Sequence, residues 1–185
     1  VRASVLPAGL GTADAPLQVF ALDAALGGSG ALVVGDAALL AHLAATARPY
    51  LYSPALSPAL TAASLEAMRL ARRDDWRREK LVELVGVFRS AARGHGLGLM
   101  AAETPIQSLS FATDQQAIAL AQNLQQAGMW VGTVPASLTG DGAARVRVSL
   151  SALHVPAQVQ ALVDAIARAR DGLHAGTLLP AAALA

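Results

Sequence analysis

The chain has 185 residues, 54% hydrophobic and 4% aromatic, with a formal net charge of +1. That length suits one large domain or two small ones, the composition excludes disorder and favours helices packed on a sheet, and the charge provides no electrostatic footprint for nucleic acid. The absence of cysteine excludes disulfides, thiolate catalysis and cysteine-ligated metal, and fits a cytoplasmic protein.

The first twenty residues lack both a basic start and a continuous apolar stretch, so no signal peptide is expected. A chain opening on Val1 reads as a piece of something longer. "VFALDAALGGSG" (19–30) then runs from a short apolar segment into a glycine cluster. Glycines permit positive φ and let backbone N–H groups approach an anion. The cluster lacks the Lys-Ser/Thr ending of a P-loop and the spacing of a dinucleotide fingerprint. Two readings stay open: a tight turn, or a cradle for a phosphate.

"ALVVG" (31–35) predicts a short buried strand, and Asp36 is placed to cap a helix over "AALLAHLAATA". His42 interrupts the apolar runs there well short of the roughly 20 residues that span a bilayer. "ARPYLYSPALSPAL" carries Pro49, Pro54 and Pro58. Each fixes φ and removes a donor, which predicts an extended crossing. Helices are expected over 58–72 and 74–93, on either side of "RLARRDDWRREK", whose interleaved charges read as a solvated face. "GHGLG" ends the second.

The remainder reads as a compact α+β unit. "PIQSLSF" predicts a strand; Thr113 and Gln116 form a capping box for the helix "DQQAIALAQNLQQAG", stopped at Gly128. "MWVGTV" predicts another strand. In "ARVRVSL", Val146, Val148 and Leu150 alternate with Arg145, Arg147 and Ser149, the two-residue period of a strand with one buried face. The arginine pair either grips a carboxylate by a guanidinium fork or forms an ordinary wet face. Val159, Leu162, Val163 and Ile166 fall at helical spacing after Pro156, and the tail "AGTLLPAAALA" has no period. His42, His95, His154 and His174 are scattered, none at metal-ligand spacing, so no metal site is expected.

The order and spacing of "ALGGSGALVVG", "ARPYLYSPALSPAL", "TPIQSL", "LQQAGMWVG" and "ARVRVSLSALH" resemble the C-terminal half of the pyridoxal-phosphate-dependent α-oxoamine synthases. Within them, "TPIQSL" and "GMWVG" point to the 8-amino-7-oxononanoate synthases. The resemblance runs from about Leu17 to Gly172. It implies an α/β chain of the fold-type-I aminotransferase kind: a remnant of the large cofactor-binding domain over 1–72, then a complete small α+β domain with its bridging helix over 73–185.

The resemblance also implies residue roles. The family reads Thr-Leu-Gly-Lys before its glycines, the lysine holding pyridoxal phosphate as a Schiff base and the threonine helping to bind the phosphate. Here those positions are Ala24 and Ala21. Only a primary amine forms that imine, so the covalent link is not available at Ala24. Of the hydroxyl pair that reaches the partner subunit's phosphate, Ser53 keeps one and Pro54 replaces the other. "PASLTG" (135–140) stands where the family has Arg-Pro-Pro-Thr-Val-Pro. Arg147 matches the arginine for the amino-acid carboxylate. The family's ring-stacking histidine and its aspartate for the pyridine nitrogen have no counterpart before Val19.

The implied reaction is decarboxylative condensation of L-alanine with a pimeloyl thioester, in biotin biosynthesis, by a cytoplasmic homodimer. This chain alone is expected not to carry it out. The alternatives are a non-catalytic subunit paired with an active homologue, or a carboxylate-binding module built on Arg147.

Overall fold

A computed structural model describes residues 14–172. It divides between Asp75 and Trp76 into two compact units. In the first, β1 (Leu17–Ala21) pairs antiparallel with β2 (Ala31–Gly35), Leu17 opposite Gly35 and Ala21 opposite Ala31. The Asp36 carboxylate accepts from the N–H groups of Ala38 and Leu39 and starts α1 (Ala37–Thr46), the cap expected of it. The proline segment is not wholly extended. Pro49 lies in the first turn of a short helix, α2 (Arg48–Leu51), where its missing N–H costs nothing; residues 53–57 have no regular structure. α3 (Pro58–Arg73) follows.

β2 was expected to be buried and is not. Leu32, Val33 and Val34 are 39–45% exposed. Successive strand residues point to opposite faces, so both faces of the hairpin lack cover. Leu22 is the one buried apolar side chain in this unit among the described residues.

The second unit has a proper core. α4 (Trp76–Gly94), β3 (Ile106–Phe111), α5 (Asp114–Gln126), β4 (Gly132–Val134), β5 (Ala144–Ser149) and α6 (Pro156–Gly172) follow in order. β4 is shorter than "MWVGTV" suggests, because only Gly132–Val134 find partners on β5. The sheet order is β3-β5-β4, antiparallel throughout. Helices cover one face: Leu84 and Phe88 of α4, Leu120 and Leu124 of α5, and Val163 and Ile166 of α6 meet Leu109, Phe111, Val146 and Val148 of the strands, all nearly fully buried. α5 starts on the reciprocal Thr113–Gln116 capping box.

One buried polar network ties the approach to β3. Arg89 Nη1 lies 3.0–3.1 Å from the carbonyls of Met100 and Ala102 and from Gln107 Oε1. Gln107 Nε2 in turn donates to the carbonyls of Ala102 and Thr104 at 3.0 and 2.7 Å. Gln107 is thus fully buried with both ends of its amide satisfied, as burial of a polar group requires. The tail beyond Gly172, with His174, lies outside the described residues.

Candidate functional site

The glycine turn is closed upon itself. Gly27 N–H donates to the Asp23 carbonyl at 2.9 Å, Gly28 N–H to the Leu22 carbonyl at 2.7 Å, and Leu22 N–H to the Gly30 carbonyl at 3.0 Å. Gly27 adopts a φ of +62°. A Cβ on Gly28 would stand 2.6 Å from Ser64 Oγ and 3.0 Å from the Leu22 carbonyl, so only glycine fits between the turn and α3. These bonds make 22–30 a tight turn held by the N–H groups of Leu22, Gly27 and Gly28.

Ala24 lies in this turn, exposed. Its N–H donates to Asp23 Oδ1 at 2.6 Å, so the position where the resemblance implies an amine carries a methyl group beside a carboxylate. Ala21, at the end of β1, is also exposed and has no hydroxyl. Ser53 is exposed in the irregular stretch after α2. Lys80, the single lysine of the sequence, belongs to the second unit, and its Nζ is 3.0 Å from both carboxylate oxygens of Glu83. The residues present therefore do not fit covalent attachment of pyridoxal phosphate at Ala24.

The sheet face turned away from the helices carries the arginines. Ser108, Arg147 and Gly132 form one row across the three strands, and Ser110, Arg145 and Val134 form the next. Small neighbours leave Arg147 room. It is exposed, and a Cβ built on Gly132 would lie 3.7 Å from its Nε. Among the described residues its guanidinium makes no hydrogen bond or ion pair.

Arg145 differs. Its Nη2 donates to Asp141 Oδ2 at 2.8 Å, and its Nε is buried. Asp141 is held at its other oxygen by the Ala143 N–H at 3.2 Å. Thr139 Oγ1, 2.9 Å from the carbonyls of Ala136 and Ala143, steadies the same turn. The hydrogen bond from Arg145, with help from the Ala143 N–H, holds the Asp141 carboxyl below its ordinary range. Sequence period placed both arginines on one face and did not separate them; the structure shows that only Arg147 is uncommitted. The missed signal was Asp141, four residues before Arg145.

The described histidines have structural roles or stand in solvent. His95 Nε2 is 2.9 Å from Asp164 Oδ1, and Gln160 first, then His95, lowers the Asp164 carboxyl. His154 Nδ1 accepts from Ser151 N–H at 3.0 Å; His42 is exposed. No group of three potential metal ligands exists among the described residues, and no helix there is long and apolar enough to cross a membrane. A cavity of about 390 Å³ beside Trp130 and His154 has no acid, lysine or arginine in its lining.

Residues 22–166 match the family described as aminotransferase class I and II. The 8-amino-7-oxononanoate synthases of Xanthomonas campestris pv. campestris (strain 8004) and Stenotrophomonas maltophilia (strain R551-3) are each 57% identical over 170 residues. That alignment covers 92% of this chain and 42% of either relative. The chain thus spans about two-fifths of the length of the curated relatives it matches. Among solved structures, the 8-amino-7-oxononanoate synthase from Francisella tularensis superposes with a TM-score of 0.82 at 24% identity, over 93% of this chain and 50% of that one. Sphingomonas wittichii serine palmitoyltransferase gives 0.84 at 25%, over 92% and 43%. An SPT structure containing PLP gives 0.79 at 22%, over 90% and 44%.

Proposed function

The chain belongs to the aminotransferase class I and II family, and on that premise we propose that it is the C-terminal part of an 8-amino-7-oxononanoate synthase that retains the amino-acid carboxylate site and has lost covalent attachment of the cofactor. The family reaction joins L-alanine to a pimeloyl thioester with loss of carbon dioxide. Pyridoxal phosphate supplies its electron sink. With Ala24 in the attachment position, no primary amine is there to form the imine, and this chain by itself does not catalyse that condensation.

Arg147 carries the reading. Its exposed, unpaired guanidinium projects from the central strand of a sheet whose opposite face is packed to full burial. The core fixes the strand, and the strand fixes the fork. A carboxylate there receives two parallel charge-assisted hydrogen bonds, with the guanidinium lying over Gly132, where a larger side chain would crowd it. The protein works in the cytoplasm on small molecules, with neither nucleic acid nor membrane as partner.

A second reading has its own observation. Both faces of the β1–β2 hairpin are exposed and apolar, which suits a subunit completed by another chain. This makes a dimer, with itself or with an active homologue, the working form.

NMR-monitored titration with L-alanine tests the carboxylate site. Arg147→Ala should weaken binding about 10- to 150-fold, the equivalent of roughly 1.5 to 3 kcal/mol for a hydrogen-bonded charge. Equal binding by the variant, or none by the unmodified chain, contradicts the reading.

A further inference from the structure

Two arginines share the helix-free face of β5, two residues and about 7 Å apart, yet one is occupied. We propose that Asp141 is a specificity-determining residue: by holding Arg145 in an ion pair it leaves Arg147 as the sole open cation, so that the face selects monocarboxylates over dicarboxylates. This rests on Arg147 being a carboxylate site.

Charge matching separates the two classes of ligand. A strand places Arg145 and Arg147 on the same side, in adjacent rows with Ser110 and Ser108; Ser110 and the Arg145 Nε are buried, so Arg145 offers a ligand only the Nη end of its guanidinium, the end Asp141 holds. Two open guanidiniums at that spacing would suit a ligand with a carboxylate at each end, such as an acidic amino acid or a short dicarboxylic acid. Asp141 changes the count. Its Oδ2 accepts from Arg145 at 2.8 Å, and its Oδ1 is fixed by the Ala143 backbone at 3.2 Å, so the anion is held from both ends and is not a swinging surface acid. The remaining strand residues on that face, Ile106, Ser108, Ser110, Ser149, Gly132 and Val134, carry no charge. The sum over the face is one net positive charge, centred on Arg147. A second carboxylate brought to Arg145 would meet Asp141 already in place, and like charges in contact oppose binding.

Asp141 thus acts through Arg145 and touches no ligand itself. Its effect belongs in the ratio of two affinities and not in either alone, which separates it from a merely structural role. The experiment is an NMR titration of the full chain with acetate and with succinate at constant ionic strength. The unmodified chain should bind succinate no better than acetate. Asp141→Asn should raise succinate affinity about tenfold or more, the scale of one added charge-assisted contact, and leave acetate affinity unchanged. Arg145→Ala in the Asp141→Asn background should abolish that gain. Asp141→Ser serves as a second route to the same release if Asn at this turn impairs folding. An unchanged succinate-to-acetate ratio in the released variants, with Arg147→Ala still abolishing acetate binding, overturns this inference and leaves the site reading intact. Acetate binding indifferent to Arg147→Ala overturns both.

Discussion

The two units are built from similar residues and differ in what those residues find to touch. Residues 76–172 bury apolar side chains from three helices against one face of a three-stranded sheet. Residues 14–75 bury Leu22 and leave Leu32, Val33 and Val34 of an apolar strand in the open. The difference separates patterning from packing. "ALVVG" has the composition of a buried strand because it is written for an environment that this stretch of chain does not itself supply. The arginine-bearing strand β5 has its supporting layer in the same unit, which fixes the backbone from which both arginines project.

The contrast breaks first in the core. Phe88→Ala should cost about 3–5 kcal/mol in urea unfolding, the usual cost of emptying a buried aromatic position. Val33→Ala should stay within roughly 0.5 kcal/mol, as expected of an exposed side chain. Comparable losses would show that the hairpin is packed in solution.

The ligand comparison comes next. Arg147→Ala should weaken L-alanine binding about 10- to 150-fold, whereas Arg145→Ala should affect it less, since its guanidinium is held by Asp141. Equal effects would return both arginines to an ordinary wet face.

Helix caps sharpen the comparison at smaller scale. Thr113→Ala removes one half of a reciprocal box and should lower global stability by about 1 kcal/mol. Asp36→Ala removes an equally well-formed cap from α1, which has no buried residue. It should reduce helical circular dichroism without moving the unfolding midpoint of the second unit.

Acid titration gives the smallest effect. Asp141 and Asp164 are held below their ordinary range in the folded chain. A depressed carboxylate contributes stability that is present above the unfolded value near 4 and lost as pH falls through the folded value. Asp141→Asn and Asp164→Asn should each flatten the decline in unfolding midpoint below about pH 4. A decline as steep as in the unmodified chain would assign it to other acids.

Much of the second unit was legible in the sequence because its signals are local. The Thr113–Gln116 box, Gly128 after α5 and the alternation around Val146 each report a backbone preference that the packed core then agrees with. What escaped depended on partners distant in character. β1 has only five residues and no polar alternation, so it reads as an apolar segment until β2 is set beside it. Pro49 suggested extension, but a first helical turn accommodates it equally well. Arg145 and Arg147 are indistinguishable by period, since the ion pair that separates them runs to a turn whose shape depends on Thr139 and Ala143. The glycine cluster was legible only as two alternatives, and the bonds of Gly27 and Gly28 show the turn.

The proposed function pairs an open arginine on β5 with an alanine at the position where the resemblance implies an amine. Incubating the full chain with pyridoxal phosphate, reducing with borohydride and mapping peptides by mass tests this most directly. The prediction is no stoichiometric adduct on the segment around Ala24 and none on Lys80, which is paired with Glu83. A stoichiometric adduct on Lys80, with the absorbance of a bound imine before reduction, would contradict it.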